Sequence, residues 1–144
     1  VGFGGMIMPS PGYYATITPT RSMNPLNGVT TYDLVLIQKH ILGIEALSTP
    51  YKMIAADANF DGKVNTADIV LLRKLLLGII PALPHGQSWR FVPKDYVFPN
   101  PANPFVPAIP DKYIIQNDVE YLPNSFEFIG VKIGDMNYSA NPDN

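Results

Sequence analysis

Asp57-Ala58-Asn59-Phe60-Asp61-Gly62-Lys63-Val64-Asn65-Thr66-Ala67-Asp68 puts oxygen-bearing side chains at its first, third, fifth, ninth and twelfth places. Gly62 is sixth, where the chain must turn sharply, and Lys63 is seventh, where only a backbone carbonyl is needed. Calcium takes six to eight hard oxygen ligands, and this spacing folds them around one ion. The ligand set read from the stretch is Asp57, Asn59, Asp61, the Lys63 carbonyl, Asn65 and Asp68. Without an ion, Asp57, Asp61 and Asp68 would repel one another at close range. The competing reading is an Asx-rich turn that caps the following helix. The last position holds Asp68 where the standard loop has glutamate, so a shorter arm must draw the helix towards the ion.

Working outward, the apolar run after this loop has a twin 35 residues upstream. Val29 to Ile44 lies over Val64 to Ile79, with Asp33 on Asp68, Lys39 on Lys74 and Gly43 on Gly78. Each copy predicts a loop feeding one helix. Thr30 or Asn65 caps the start, the following Asp sits in the first turn, and Gly43 or Gly78 stops it. Leu34, Ile37 and Ile41 form one stripe, and Ile69, Leu72 and Leu76 its partner. Val35, Leu36, Leu42, Val70, Leu71, Leu75 and Leu77 exceed what a helix pair can bury, so a cover is expected. The tail, a neighbouring domain or a partner would supply it.

The first copy lacks the second copy's loop carboxylates. Ser22, Asn24, Leu26 and Asn27 stand where Asp57, Asn59, Asp61 and Gly62 stand in the other. Near the end of the chain, Asp135-Met136-Asn137 repeats the spacing of Asp57-x-Asn59. Two readings of it stand: a solvated turn leading onward, or oxygens that complete the first loop. A second ion would draw on Asn24, Thr30, Asp33, Asp135 and Asn137.

The chain has 144 residues, a net charge of −2 and 15% charged residues, with no basic footprint for nucleic acid and no polybasic membrane anchor. Cysteine is absent, which excludes disulfides, zinc–cysteine sites and thiol catalysis. The longest apolar run is broken by Arg73-Lys74 and is too short to span a bilayer. The opening Val1-Gly2-Phe3-Gly4-Gly5 reads as the interior of a longer secreted polypeptide. Catalysis is not expected. The best acid cluster is committed to the loop, neither His40 nor His85 has a nucleophile beside it in sequence, and no Gly-rich phosphate loop is present.

The fold expected is mainly α: a pair of calcium loop-helix repeats with three helices, an N-terminal strand, and a proline-rich, short-stranded tail packed on the helices. Residues 1–20 are the strand or linker, with a strand at 13–18 that pairs with 3–8 across a Pro-Gly turn. Residues 21–80 hold the repeats, with a short middle helix from Ser48-Thr49-Pro50 that turns Tyr51, Met53, Ile54 and Ala55 to the core. Residues 81–144 are the tail, which carries ten of the fifteen prolines. Strands are expected at Trp89 to Val92, Tyr113 to Ile115, Val119 to Leu122 and Phe126 to Ile133. Trp89, Phe91, Phe126, Phe128 and Ile133 are the candidates to cover the surplus helix surface, with a carbohydrate platform as the other reading of these aromatics.

The Asp57 to Asp68 loop, followed by Ile-Val-Leu-Leu-Arg-Lys-Leu-Leu-Leu-Gly, resembles a type I dockerin repeat, and residues 22–44 resemble its degenerate twin. The tail, with Ser88-Trp89-Arg90-Phe91-Val92 and Phe128 to Asn137, is similar to that found after dockerin-like repeats in large surface proteins of Bacteroidota. The resemblance implies a non-catalytic, calcium-binding module of an extracellular or cell-surface bacterial protein. It further implies docking onto a cohesin-like domain through helix positions Thr66, Ala67, Arg73 and Lys74 in one copy and Thr31, Tyr32, Gln38 and Lys39 in the other. The alternative is a calcium-stabilised structural repeat or subunit of an adhesin or filament, without a cohesin partner and contacting a neighbouring domain instead.

Overall fold

A computed structural model describes residues 14–116 and 126–143. Three helices follow one another: α1 (Thr31–Ile41), α2 (Pro50–Ala56) and α3 (Thr66–Leu76). Four short strands complete the secondary structure: β1 (Tyr14–Ile17), β2 (Trp89–Pro93), β3 (Tyr113–Gln116) and β4 (Phe128–Lys132).

The helices begin and end where the local chemistry requires. Thr30 and Asn65 hold extended backbone at the N-caps, and the carboxylates of Asp33 and Asp68 accept their backbone N–H groups at 2.8 and 2.9 Å. Thr49 caps α2 by accepting from Lys52 N–H, and Pro50 follows at the first helical place. Gly43 and Gly78 adopt φ of 71° and 70° just past α1 and α3. This lets the N–H of Ile44 and of Ile79 return to the carbonyls of Lys39 and Lys74 at 2.9 Å.

Leu34 and Ile37 of α1 face Ile69, Leu72 and Leu75 of α3, and Ile54, Ala55 and Ala56 of α2 close the same core. The tail enters it directly: Leu83, Val92, Phe98, Ile109, Val131, Ile133 and Met136 are buried with the helices. Within α2, Ile54 and Ala55 are buried, while Tyr51 and Met53 are only half-buried. Among the expected aromatic covers only Trp89 is buried, joined by Ile133; Phe91, Phe126 and Phe128 are half-buried.

Cover is therefore selective. Leu75 is buried, and Leu36 and Leu71 pack partly against the core, but Val35, Leu42, Val70 and Leu77 remain 48–69% exposed. The described residues therefore leave about half or more of each of these four side chains open.

The strands form two antiparallel pairs. β2 runs against β4 with Trp89 opposite Lys132 and Phe91 opposite Gly130. β1 pairs with β3, Tyr14 opposite Gln116 and Ile17 opposite Tyr113. The expected partner of β1, residues 3–8, lies outside the described residues, as does the strand expected at Val119 to Leu122. The last strand is shorter than expected: it starts at Phe128, and past Lys132 the Ile133 N–H still meets its opposite residue at Ser88 O, at 3.0 Å, before Gly134 N–H turns away to Ala55 O at 2.8 Å.

Candidate metal centre and docking face

The loop at 57–68 is held at both ends by buried carboxylates. Asp57 is the C-cap of α2 and Asp68 lies in the first turn of α3, and neither has exposed surface. Asp57 Oδ1 accepts from Asp61 N–H at 3.1 Å and its Oδ2 from Gly62 N–H at 2.9 Å. Asn59 Oδ1 also accepts from Asp61 N–H, and its Nδ2 donates to Asp61 Oδ2, both at 3.1 Å. Asp68 reaches back across the loop: Oδ1 accepts from Ala58 N–H at 2.9 Å, and Oδ2 from Asn65 N–H. The turn depends on left-handed backbone at Phe60 and Gly62, with φ of 60° and 78°.

Burial pushes the Asp57 carboxyl up to about 6; the Gly62 and Asp61 N–H groups oppose the rise, and the charges of Asp68 and Asp61 add to it. Asp68 is also raised by burial, against the N–H groups of Asn65, Asn59 and Ala58. Both shifts report negative charge held away from water with too little positive charge nearby. Arg90 of β2 brings positive charge near, its Nη1 4.0 Å from Asp57 Oδ2.

The donors fit calcium in kind: carboxylate, amide and backbone oxygens, with no sulfur and no imidazole in the set. Among the described residues no three acidic, histidine or cysteine side chains converge as a metal cluster. The loop instead spreads its acids among amide oxygens, with Asp61 exposed at its rim.

The remaining site candidates fall in two places. Thr30, Asp33, Asp135 and Asn137 come together where the tail crosses the start of α1; Asp33 is fully buried, and its Oδ1 accepts from Met136 N–H at 2.7 Å. Asn24 is apart from them in bonding: it is exposed, with φ of 47°, in a turn where its carbonyl accepts from Asn27 N–H.

The helix positions named for docking are open. Thr66, Ala67, Arg73 and Lys74 are exposed on α3, and Thr31, Tyr32 and Gln38 on α1. Lys39 is half-buried and pairs with Glu45 at 3.2 Å. Thr66, Ala67, Val70 and Lys74 border a shallow depression with Asn59 of the loop.

Several residues that shape these sites were not singled out from sequence. His85 stacks on Phe60 with ring centroids 3.6 Å apart, and its Nε2 lies 2.8 Å from Ala58 O. Arg90 reached the loop from a strand, which no local pattern marks. Ser139 did carry a signal, since it continues the oxygen alternation of Asp135 and Asn137.

No curated protein and no solved structure matches the chain. A family model for the type I dockerin domain matches residues 27–77. The match takes in α1, α2, the 57–68 loop and α3, and over those residues this chain carries a dockerin-like domain.

Proposed function

We propose that this protein is a non-catalytic, calcium-dependent interaction module whose ion is held by Asp57, Asn59, Asp61, the Lys63 carbonyl, Asn65 and Asp68. The observation that carries the reading is the pair of fully buried carboxylates, Asp57 and Asp68, that close one loop from two helices. Bound calcium supplies positive charge that relieves their burial and repulsion. The residues do the rest: Asp57 fixes the end of α2, Asp68 fixes the start of α3, and the loop between them sets how the helices meet.

The partner in this reading is a cohesin-like domain, met by the exposed helix positions of α3 and α1 together with the uncovered Val70, Leu77, Val35 and Leu42. A secreted or cell-surface setting follows from the same family membership and from calcium being plentiful there. The repeat unit is taken as residues 21–80, with 81–144 a tail packed on it. Burial of Ile133, Met136 and Val92 among the helices also favours a second role, a rigid block in an adhesin or filament.

The test is thermal unfolding with calcium and with chelator, followed by titration against purified cohesin domains. Calcium at 100 times its dissociation constant adds about 2.7 kcal/mol. Asp57→Ala and Asp68→Ala each abolish that gain. A melting temperature indifferent to chelation sinks the reading, and head-to-tail polymers in place of a one-to-one complex select the second role.

A further inference from the structure

The tail grips the first half of the 57–68 loop through His85. Leu83 is buried in the core, and Gly86 N–H returns to the Leu83 carbonyl at 2.9 Å, with φ of 76° at Gly86. This turn, with Pro84 ahead of it, presents His85. The next residue fixes the ring's proton. Gln87 N–H donates to Nδ1 at 3.1 Å, so Nδ1 carries no proton and the neutral ring holds it on Nε2. Nε2–H donates in turn to the carbonyl of Ala58, at 2.8 Å.

Two points of the loop are gripped, and neither belongs to the ligand set. Ala58 is fully buried between Asp57 and Asn59. Its N–H reaches Asp68 Oδ1 and its carbonyl reaches His85, so the peptide groups on both sides of it are fixed. Phe60 lies between Asn59 and Asp61 with φ of 60°, a backbone that an aromatic residue keeps only when its surroundings hold it there. The His85 ring lies on it, with centroids 3.6 Å and planes 11° apart, and Arg90 Cζ stands 5.2 Å from its centre. Ala58 and Phe60 are thus held from the tail, while their neighbours Asp57, Asn59 and Asp61 are left to the ion.

We infer that His85 is a positioning residue for calcium: by fixing Ala58 and Phe60 it sets the loop's first three ligands in place before the ion arrives. The inference rests on the calcium reading of the 57–68 loop. It adds to that centre a part of the tail, beyond the residues 27–77 matched to the dockerin family. An unanchored loop must be ordered by the ion itself, and the cost is taken from the affinity. Outer contacts that orient ligands are worth about tenfold or more in metal affinity.

Calorimetric titration of the chelator-stripped full chain with calcium chloride tests this, with melting in chelator recorded for each variant. Asp57→Asn abolishes the heat of the loop ion and so identifies it. His85→Ala is expected to weaken that ion by about tenfold. His85→Gln keeps an N–H donor for the Ala58 carbonyl, and His85→Phe keeps a ring on Phe60, so each recovers part of the loss. These two decide the matter where His85→Ala does not fold. A purely structural role lowers the melting temperature in chelator and leaves the dissociation constant of the folded chain where it was. An unchanged constant in the His85 variants, or an equal loss in all three, overturns the inference and leaves the loop reading intact. Equal heats in the unaltered chain and in Asp57→Asn overturn both.

Discussion

Arg90 Nη1 lies 4.0 Å from Oδ2 of Asp57, a carboxylate with no exposed surface, and the guanidinium sits 5.2 Å from the centre of the Phe60 ring. Burial lowers the guanidinium's own pKa, and the charges of Asp57 and Asp111 pull it back. A strand residue thus brings a positive charge against the loop. The relation between Lys132 and Asp135 is the counterpart behind the tail segment, since burial brings Lys132 down to about 8 while Asp135 and Asp33 hold it up.

Removing Arg90 strands Asp57 in a buried place. The pair is long and partly exposed on the arginine side, so its loss falls between the surface and buried limits. Arg90→Met is expected to cost about 1–3 kcal/mol in chelator, and less with calcium present, because bound calcium supplies the missing charge. Urea unfolding in the two buffers measures the difference.

The raised pKa of Asp57 fixes a sign for the pH dependence without calcium. The folded state binds this proton more tightly than the unfolded chain, whose ordinary value is 3.8. Asp57's contribution is therefore most favourable below that value, and it is lost as pH rises through about 6. His85 works in the opposite sense. Burial lowers its pKa from 6.5, so the fold loses stability as pH falls below that value. Melting curves of the unaltered chain minus those of Asp57→Asn, in chelator, isolate the aspartate: the difference declines from about pH 4 to about pH 6.5. Calcium reverses this slope, because it favours the ionised form.

Gly28 separates backbone freedom from close approach. Its φ is 75°, and a Cβ there would stand 2.6 Å from the Ala140 backbone. At Gly43 φ is 71°, but nothing lies within 4 Å of the added atom. Gly43→Ala is expected to cost about 1 kcal/mol, the left-handed penalty alone. Gly28→Ala adds a clash that the tail must relieve by moving, for about 2–4 kcal/mol in all. Denaturant midpoints of the two variants give the comparison, and faster proteolysis around residues 135–143 in Gly28→Ala alone identifies the tail as the part that moves.

Much of this arrangement was legible because its causes are local. The spacing of Asp57 to Asp68, the caps at Thr30 and Asn65, and the stops at Gly43 and Gly78 each act within one turn, so three helices and their limits follow from the chain. Strands β1 and β2 were readable from β-branched and aromatic runs, but their partners were not. Short strands carry no register, and β1 pairs with residues nearly a hundred positions away. Asp33 and Asp135 show the same limit at a site. Each was recognisable as an oxygen donor, yet nothing nearby in sequence places Met136 N–H on Asp33, because that bond depends on where the tail is carried by β4. The surplus of apolar helix residues was visible too, but not its division: the chain itself takes up Leu75 and part of Leu36 and Leu71, and leaves Val35, Leu42, Val70 and Leu77 open.

That uncovered surface separates stability from docking within a single helix. Leu72 has no exposed surface, while Leu77, at the end of α3, is 69% exposed with Leu42 at 62% in the matching place after α1. Leu72→Ala removes packing on every side and is expected to cost about 2–5 kcal/mol. Leu77→Ser and Leu42→Ser touch little within the chain, so each stays within about 0.5 kcal/mol of the unaltered protein. Their effect lies in association, where an exposed apolar side chain is buried by a partner. With a cohesin domain that binds the unaltered chain, losing one leucine from the centre of the contact weakens binding by about 1–3 kcal/mol, roughly five- to 150-fold. Titration of both serine variants also shows how the partner sits. A loss in one variant alone means a single orientation on one copy of the repeat. A partial loss in each, and a full loss only in the double variant, means that either copy can dock. Unchanged binding in both moves the interface away from these helix ends.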